Sequence, residues 1–188
     1  MFVFMESERL WYRTIEVVDA PIIGRWINDW TVRKHLLTPT FPLGLELERE
    51  YARSGSAMGP GKVRTEMRLL FGVKGKPLDK PVGSTGLTGV NWITADTEWG
   101  IHIGEPAHWG KGYGREVLAR FLRYAFVGLN LNRVHLRVNA GNAAGIKAYS
   151  AAGFKQEALS RQATQARDGI DDQIYMSVLR DEWRKKRK

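Results

Sequence analysis

The sequence predicts a mixed α/β domain of the α+β type, and three observations carry that reading. Short runs of aromatic and β-branched residues mix with helical patterns along all 188 residues. Three such runs succeed one another between residues 64 and 103 with only turn signals between them, as in an antiparallel meander. A glycine-rich segment, WGKGYG at 109–114, leads straight into an apolar stripe of helical period.

Residues 9–16 (RLWYRTIE) read as the first strand. Asp19 then stands as an N-cap with Pro21 in the first turn, and Ile22, Ile23, Trp26, Ile27 and Trp30 recur on one helix face. Two prolines between Thr38 and Gly44 break that helix, and residues 45–52 suit a second, short one. The segment 54–62 (SGSAMGPGK) is a loop. Strands follow at 64–73, 82–93 and 97–103, the middle one with glycines at 83, 86 and 89 that mark bulges or close backbone approach. Val117, Leu118, Phe121, Leu122, Ala125 and Phe126 make one stripe of a helix over 112–128, with Gly128 as its C-terminal stop. Val134, Leu136 and Val138 alternate in a strand at 133–138. A short helix over 143–152 ends at Gly153, and strands at 154–158 and 170–179 complete the domain, 1–183. The remaining residues, 184–188, are all basic.

Composition bounds the function. Hydrophobic residues make up 43% and charged residues 26%, which suits a folded soluble domain and not a disordered chain. There is no cysteine, so disulfides, thiolate metal sites and thiol nucleophiles are excluded. No apolar run approaches the ~20 residues of a membrane-spanning helix, and the N-terminal MFVFMESERL lacks a basic leader, so a cytoplasmic protein without a membrane partner is expected. The net charge is +9, of which residues 184–188 supply five. That run is either a solvated tail or a contact with RNA, a ribosome or a polyanionic ligand.

Two constellations can carry chemistry. In WGKGYG, glycines at 110, 112 and 114 let the backbone approach a ligand, and the helix behind them presents unpaired amides and a positive dipole end. With Lys111 and Arg115 this makes an anion site suited to a pyrophosphate. It is neither a P-loop nor a dinucleotide fingerprint. The second is Asn142 with Tyr149, seven residues apart and so on one helix face. Asn142 suits a helix cap, and Tyr149 suits a core aromatic with its hydroxyl at the surface. His102, Glu105 and His108 form H-x-x-E-x-x-H, but Gly104 and Pro106 break any helix there, so no metal site is expected.

The runs WGIHIGEPAHWGKGYGREVLARFLRYAF and NRVHLRVNAGNAAGIKAYSAAGF, flanked by ERLWYRTIEVVDA and DGI-DDQIYMSVLRDEW, resemble the N-acetyltransferases of the GNAT superfamily. The resemblance is strongest to the RimJ/RimL branch, which acetylates ribosomal-protein N-termini. It implies a central, mostly antiparallel twisted sheet flanked by helices and splayed between its fourth and fifth strands, here 97–103 and 133–138. It implies acetyl-CoA as cosubstrate, with its pyrophosphate on Trp109, Gly110, Lys111, Gly112, Tyr113, Gly114 and Arg115; Trp109 stands where many relatives have Gln or Arg. Pantetheine would lie along Ile101, His102 and Ile103, with Asn142, Lys147 and Tyr149 opposite. An amide near 101–103 would stabilise the oxyanion, and Tyr149 would protonate the leaving thiolate. The glutamate that some relatives carry before the Asn is Arg137 here, so the base falls among Glu98, His102 and Glu105, with Glu98 acting through a water as first choice. The acceptor would be a primary amine: a protein N-terminus, or a small amino sugar, antibiotic or polyamine. A non-catalytic RNA- or ribosome-binding module is the rival class. The acceptor pocket is expected from the first helix, the loop 38–43 and a loop at 160–168, with Trp26, Trp30 and Phe41 as candidate lining residues.

Overall fold

The computed structural model describes residues 1–33, 36, 42–56, 65–166 and 169–186. Eight strands form one sheet in the order β1-β2-β3-β4-β5-β6-β8-β7: β1 Val3–Glu6, β2 Leu10–Thr14, β3 Met67–Val73, β4 Gly83–Asn91, β5 Asp96–Ile103, β6 Arg133–Asn139, β7 Lys155–Ala166 and β8 Gly169–Leu179. Every neighbouring pair is antiparallel except β5–β6. That parallel pair is joined only over Asp96–Arg133, Thr97–Val134 and Glu98–His135. Beyond Glu98 the two strands part, so the edge of β5 from Trp99 to Ile103 pairs with β4 alone.

Strand alternation splits the core between the two faces. On one face Leu69, Phe71, Leu87, Trp99, Val134, Leu136 and Val138 meet the apolar stripe of α4 (Tyr113–Arg123) and the inner side of α5 (Ala143–Ala152). On the other, Ile15 and Leu70 meet Ile23 and Trp26 of α1 (Ala20–Asn28), Val32 of α2 (Trp30–Arg33) and Ala52 of α3 (Leu45–Ser56). The chain closes with α6 (Arg180–Lys185), whose Trp183 packs 5.3 Å from Phe126. Among the described residues no helix is long and apolar enough to cross a membrane.

The glycines of β4 serve close approach. A Cβ on Gly83 would lie 2.3 Å from the His102 carbonyl, and one on Gly86 would lie 2.3 Å from that of Met67. Register breaks between Thr88 and Asn91, at the positive-φ Gly89.

Several expectations are corrected. An edge strand, β1, precedes the first predicted one. Asp19 sits at the N-cap of α1 but makes no side-chain cap. Its carboxylate is instead buried against Arg13, at 2.6 and 2.7 Å, and accepts the Glu16 amide. Gly128 is the last residue of its helix, as expected, but the end is not a left-handed glycine turn. The helix loosens into a π turn over Tyr124–Gly128, and the positive φ falls at Asn130. A Cβ at Gly128 would lie 3.0 Å from the Tyr124 ring, a tight contact. Residues 160–166, expected in a loop, belong to β7, whose register with β8 jumps between Ser160 and Thr164. The basic run begins inside α6: Lys186 Nζ donates to the Ala151 carbonyl at the end of α5, at 2.6 Å.

Candidate active site

The parting of β5 and β6 leaves one edge of β5 unpaired from Trp99 to Ile103, and α4 and α5 pack on one face of the sheet beside it. Local sequence builds each of these elements. The turn before α4 needs left-handed backbone at Gly110 (φ 72°) and at the N-cap Gly112 (φ 79°). A side chain at either position is strained whatever the space around it. Nothing lies within 4 Å of a Cβ built on Gly110 or Gly114, so the concave side of the turn is open, as an approaching pyrophosphate requires. Lys111 and Arg115 stand exposed beside it. The turn is open and flanked by two exposed cations, an arrangement that can hold an anion.

Trp109 has a definite task. Its indole N–H donates to the Ile103 carbonyl at 2.8 Å, which ties the turn to the end of β5. On the outer flank, Glu116 in the first turn of α4 accepts from the Ser7 hydroxyl (2.6 Å), the Arg9 amide (2.7 Å) and Arg9 Nε (2.7 Å). Burial works to raise the Glu116 pKa, but these bonds together bring it below the usual carboxylate range.

Asn142 is the N-cap of α5. Its Oδ1 accepts the Gly145 amide at 2.9 Å, which leaves its amide N–H groups for other partners. Tyr149 stands seven residues on, edge-on to Trp99 of β5 with ring centroids 6.0 Å apart. Its hydroxyl has no hydrogen bond to a described residue, and burial pushes its pKa above the ordinary value of 10. Lys147 is exposed on the same helix.

On the α1 side of β5 lie the candidate bases. Glu98 accepts two hydrogen bonds from Arg137 of β6, at 2.8 and 3.1 Å. His102 is packed edge-on to Trp26, with Nδ1 3.1 Å from the Ser84 hydroxyl. Burial pushes its pKa down to about 4, so it is neutral at pH 7, and its Nε2 has no hydrogen-bond partner among the described residues. Glu105 accepts from the Trp26 indole at 2.8 Å and pairs with Arg25. Trp26 is core, over a Gly104 that could not carry a Cβ beneath it, whereas Trp30 is 47% exposed. Phe41 lies outside the described residues, as do residues 38–40 of the expected acceptor loop. Among the described residues no three His, Asp or Glu side chains gather as a metal site.

Sequence reasoning passed over Arg9, Glu116 and the grip of Arg137 on Glu98. Their partners are 107 and 39 residues away, so no local pattern announces them.

Residues 9–155 match the model of the GNAT acetyltransferase domain. The chain belongs to this family. It is an acetyl-CoA-dependent N-acetyltransferase. An uncharacterized N-acetyltransferase, p20 of Bacillus licheniformis, is 26% identical over 94% of this chain and 96% of its own length. Spermidine N(1)-acetyltransferase of Vibrio cholerae is 36% identical over 40% of this chain and 43% of its own length. A crystal structure of spermidine N-acetyltransferase from Vibrio cholerae, in complex with CoA and spermine, superposes with a TM-score of 0.80. It is 23% identical and covers 93% of this chain and 97% of its own. These relatives are polyamine enzymes or are uncharacterized, and none of them is a ribosomal-protein acetyltransferase, so the expected RimJ/RimL branch is not shown.

Proposed function

We propose that the enzyme moves the acetyl group to a primary amine of a small molecule, with a polyamine such as spermidine as the first acceptor, by direct transfer in a ternary complex. The observation that carries the transfer chemistry is the unpaired edge of β5 facing Tyr149 across the split. Backbone amides on that edge between Ile101 and Ile103 hold pantetheine as an added strand would be held, and one of them polarises the thioester carbonyl. The turn 109–115 binds the pyrophosphate, with Asn142 and Lys147 on the opposite wall. Tyr149 gives its proton to sulfur as the thiolate leaves. Its raised pKa keeps it protonated at neutral pH, as an acid must be.

Glu98 takes the amine proton through a water. Two of the roughly four lone-pair positions of a carboxylate go to Arg137, and two remain. His102 is the second candidate, neutral at pH 7 and packed against Trp26.

The polyamine acceptor is supported by the relatives. A peptide N-terminus is the second reading. It is favoured by the ion pairs Arg25–Glu105 and Arg137–Glu98, which occupy carboxylates that a polycation would use. A thiol-release assay with acetyl-CoA against spermidine, spermine, an amino sugar and N-terminal peptides decides between them. Spermidine turnover is the expected result, and turnover with peptides alone overturns the polyamine acceptor.

A further inference from the structure

The β1–β2 turn brings a residue more than a hundred positions distant in sequence to the phosphate turn. Arg9 lies just before β2, and Ser7 N–H donates to the Leu10 carbonyl to close that turn. The Arg9 guanidinium is then fixed from three directions. Nε donates to Glu116 at 2.7 Å, Nη1 donates to the Lys111 carbonyl at 3.0 Å, and the plane stands 4.8 Å over the Tyr113 ring. Nη2 has no hydrogen bond to a described residue. It lies on the flank of Gly112, 3.6 Å from where a Cβ would be.

This is a preorganised group. Lys111 and Tyr113 flank Gly112, the N-cap whose left-handed backbone aims the first amides of α4. Holding the carbonyl of one neighbour and the ring of the other restrains that conformation. Glu116 offsets the charge of Arg9, so what Arg9 adds is a directed N–H pair more than net positive charge.

We propose that Arg9 is a positioning and binding residue for the pyrophosphate of the acetyl donor. It fixes the turn through the Lys111 carbonyl and offers Nη2 to a phosphate oxygen above Gly112. This rests on the donor being acetyl-CoA. Lysine is a poor substitute, because a single ammonium cannot reach Glu116, the Lys111 carbonyl and a phosphate together.

The test compares Arg9→Gln and Arg9→Lys with the unsubstituted enzyme on three donors: acetyl-CoA, acetyl-dephospho-CoA and acetyl-pantetheine. Dissociation constants come from calorimetry, kcat and KM from thiol release, and folding from thermal melts. Arg9→Gln should weaken both CoA donors by about tenfold, within the range of a lost charge-assisted hydrogen bond. It should leave kcat at saturation and kcat/KM for acetyl-pantetheine unchanged, because that donor has no pyrophosphate. Arg9→Lys keeps the charge beside Glu116 and should show most of the same loss, so it decides the matter if Arg9→Gln does not fold. Unchanged affinity in either folded variant overturns the proposal. So does an equal loss with acetyl-pantetheine, which would make Arg9 only a structural brace. A loss confined to acetyl-CoA would assign Arg9 to the 3′-phosphate and overturn the pyrophosphate contact. Failure of the unsubstituted enzyme to bind acetyl-CoA would strike at the donor itself, a different result from any of these.

Discussion

Arg137 grips both carboxylate oxygens of Glu98 just where β5 and β6 part, reaching across from one diverging strand to the other. The pair holds the carboxylate beside the point where the two strands separate. Glu98→Gln keeps the size of the side chain and an oxygen for Arg137 but removes the base. The variant should lose on the order of 10²-fold in kcat at pH 7. The deficit has a sign in pH. An alkyl ammonium has a pKa near ~10, so the neutral acceptor becomes more abundant as pH rises and needs the base less. The ratio of unsubstituted to variant rates should therefore shrink between pH 7 and pH 10. A constant ratio, or no deficit at pH 7, would show that Glu98 is not the base.

The glycines of the phosphate turn separate strain from ligand contact. Gly112 has φ 79°, whereas Gly114 does not have positive φ and has open space where a Cβ would point. Gly114→Ala should leave the melting temperature nearly unchanged and weaken acetyl-CoA binding at least tenfold, because its methyl group meets only the ligand. Gly112→Val places a β-branched residue in the left-handed region and should lower both stability and affinity. If Gly114→Ala binds acetyl-CoA as tightly as the unsubstituted enzyme, the pyrophosphate does not lie over that residue.

Much of this was legible in sequence where the signal is local. The stripe of α4, the glycines before it and the N-cap at Asn142 each declare themselves within a few residues. What escaped is carried by distance. β1 is four residues at the sheet edge with Phe4 exposed, so neither burial nor alternation marks it. Asp19 reads as a cap because cap residues precede helices, but a buried guanidinium six residues earlier outcompetes the helix amides for it. The bulged extension of β7 carries Gln, Thr and Ser, which resemble a loop until β8 pairs with them.

The Arg13–Asp19 pair supplies a stability prediction. The two side chains are 0% and 5% exposed, and Arg13 also donates to the Leu78 and Thr14 carbonyls. Removing one charge strands the other in the protein interior, which costs about 3–5 kcal/mol. Asp19→Ala should therefore lower the melting temperature by roughly 10 °C, at the few degrees per kcal/mol typical of a domain this long. Differential scanning calorimetry checks this. A shift under about 2 °C would mean that water replaces the carboxylate at little cost.

The C-terminal run should matter for stability and not for the acetyl donor. Trp183 is packed on Phe126, and Lys186 Nζ donates to one carbonyl at the end of α5, that of Ala151. Truncation after Trp183 removes that contact and should cost about 1 kcal/mol, the scale of one cationic contact at a helix C-terminus. Acetyl-CoA affinity should stay within about twofold, because the phosphate turn lies elsewhere. A tenfold loss of affinity would bring the basic run to the donor.

Tyr149 carries the most specific chemical prediction. Its ring is held by Trp99 and Phe154, at 6.0 and 6.2 Å between centroids, so Tyr149→Phe preserves the packing. The hydroxyl has no hydrogen bond to a described residue, so its removal breaks no described structural bond. If it donates to the leaving sulfur, it acts only as negative charge develops there, and kcat should fall by about 10²–10⁴-fold. The dissociation constant of acetyl-CoA should hardly move, so kcat and kcat/KM should drop together. The pH profile gives an independent mark. Burial raises the phenol pKa, so the proton donor is intact below pH 10 and is lost only as pH climbs past that raised value. The unsubstituted enzyme should show an alkaline limb in kcat above pH 10, and Tyr149→Phe should lack it. A variant with unchanged kcat would make water, not Tyr149, the proton donor to sulfur. A variant that binds acetyl-CoA tenfold more weakly would place the hydroxyl on the ground-state ligand instead of the transition state.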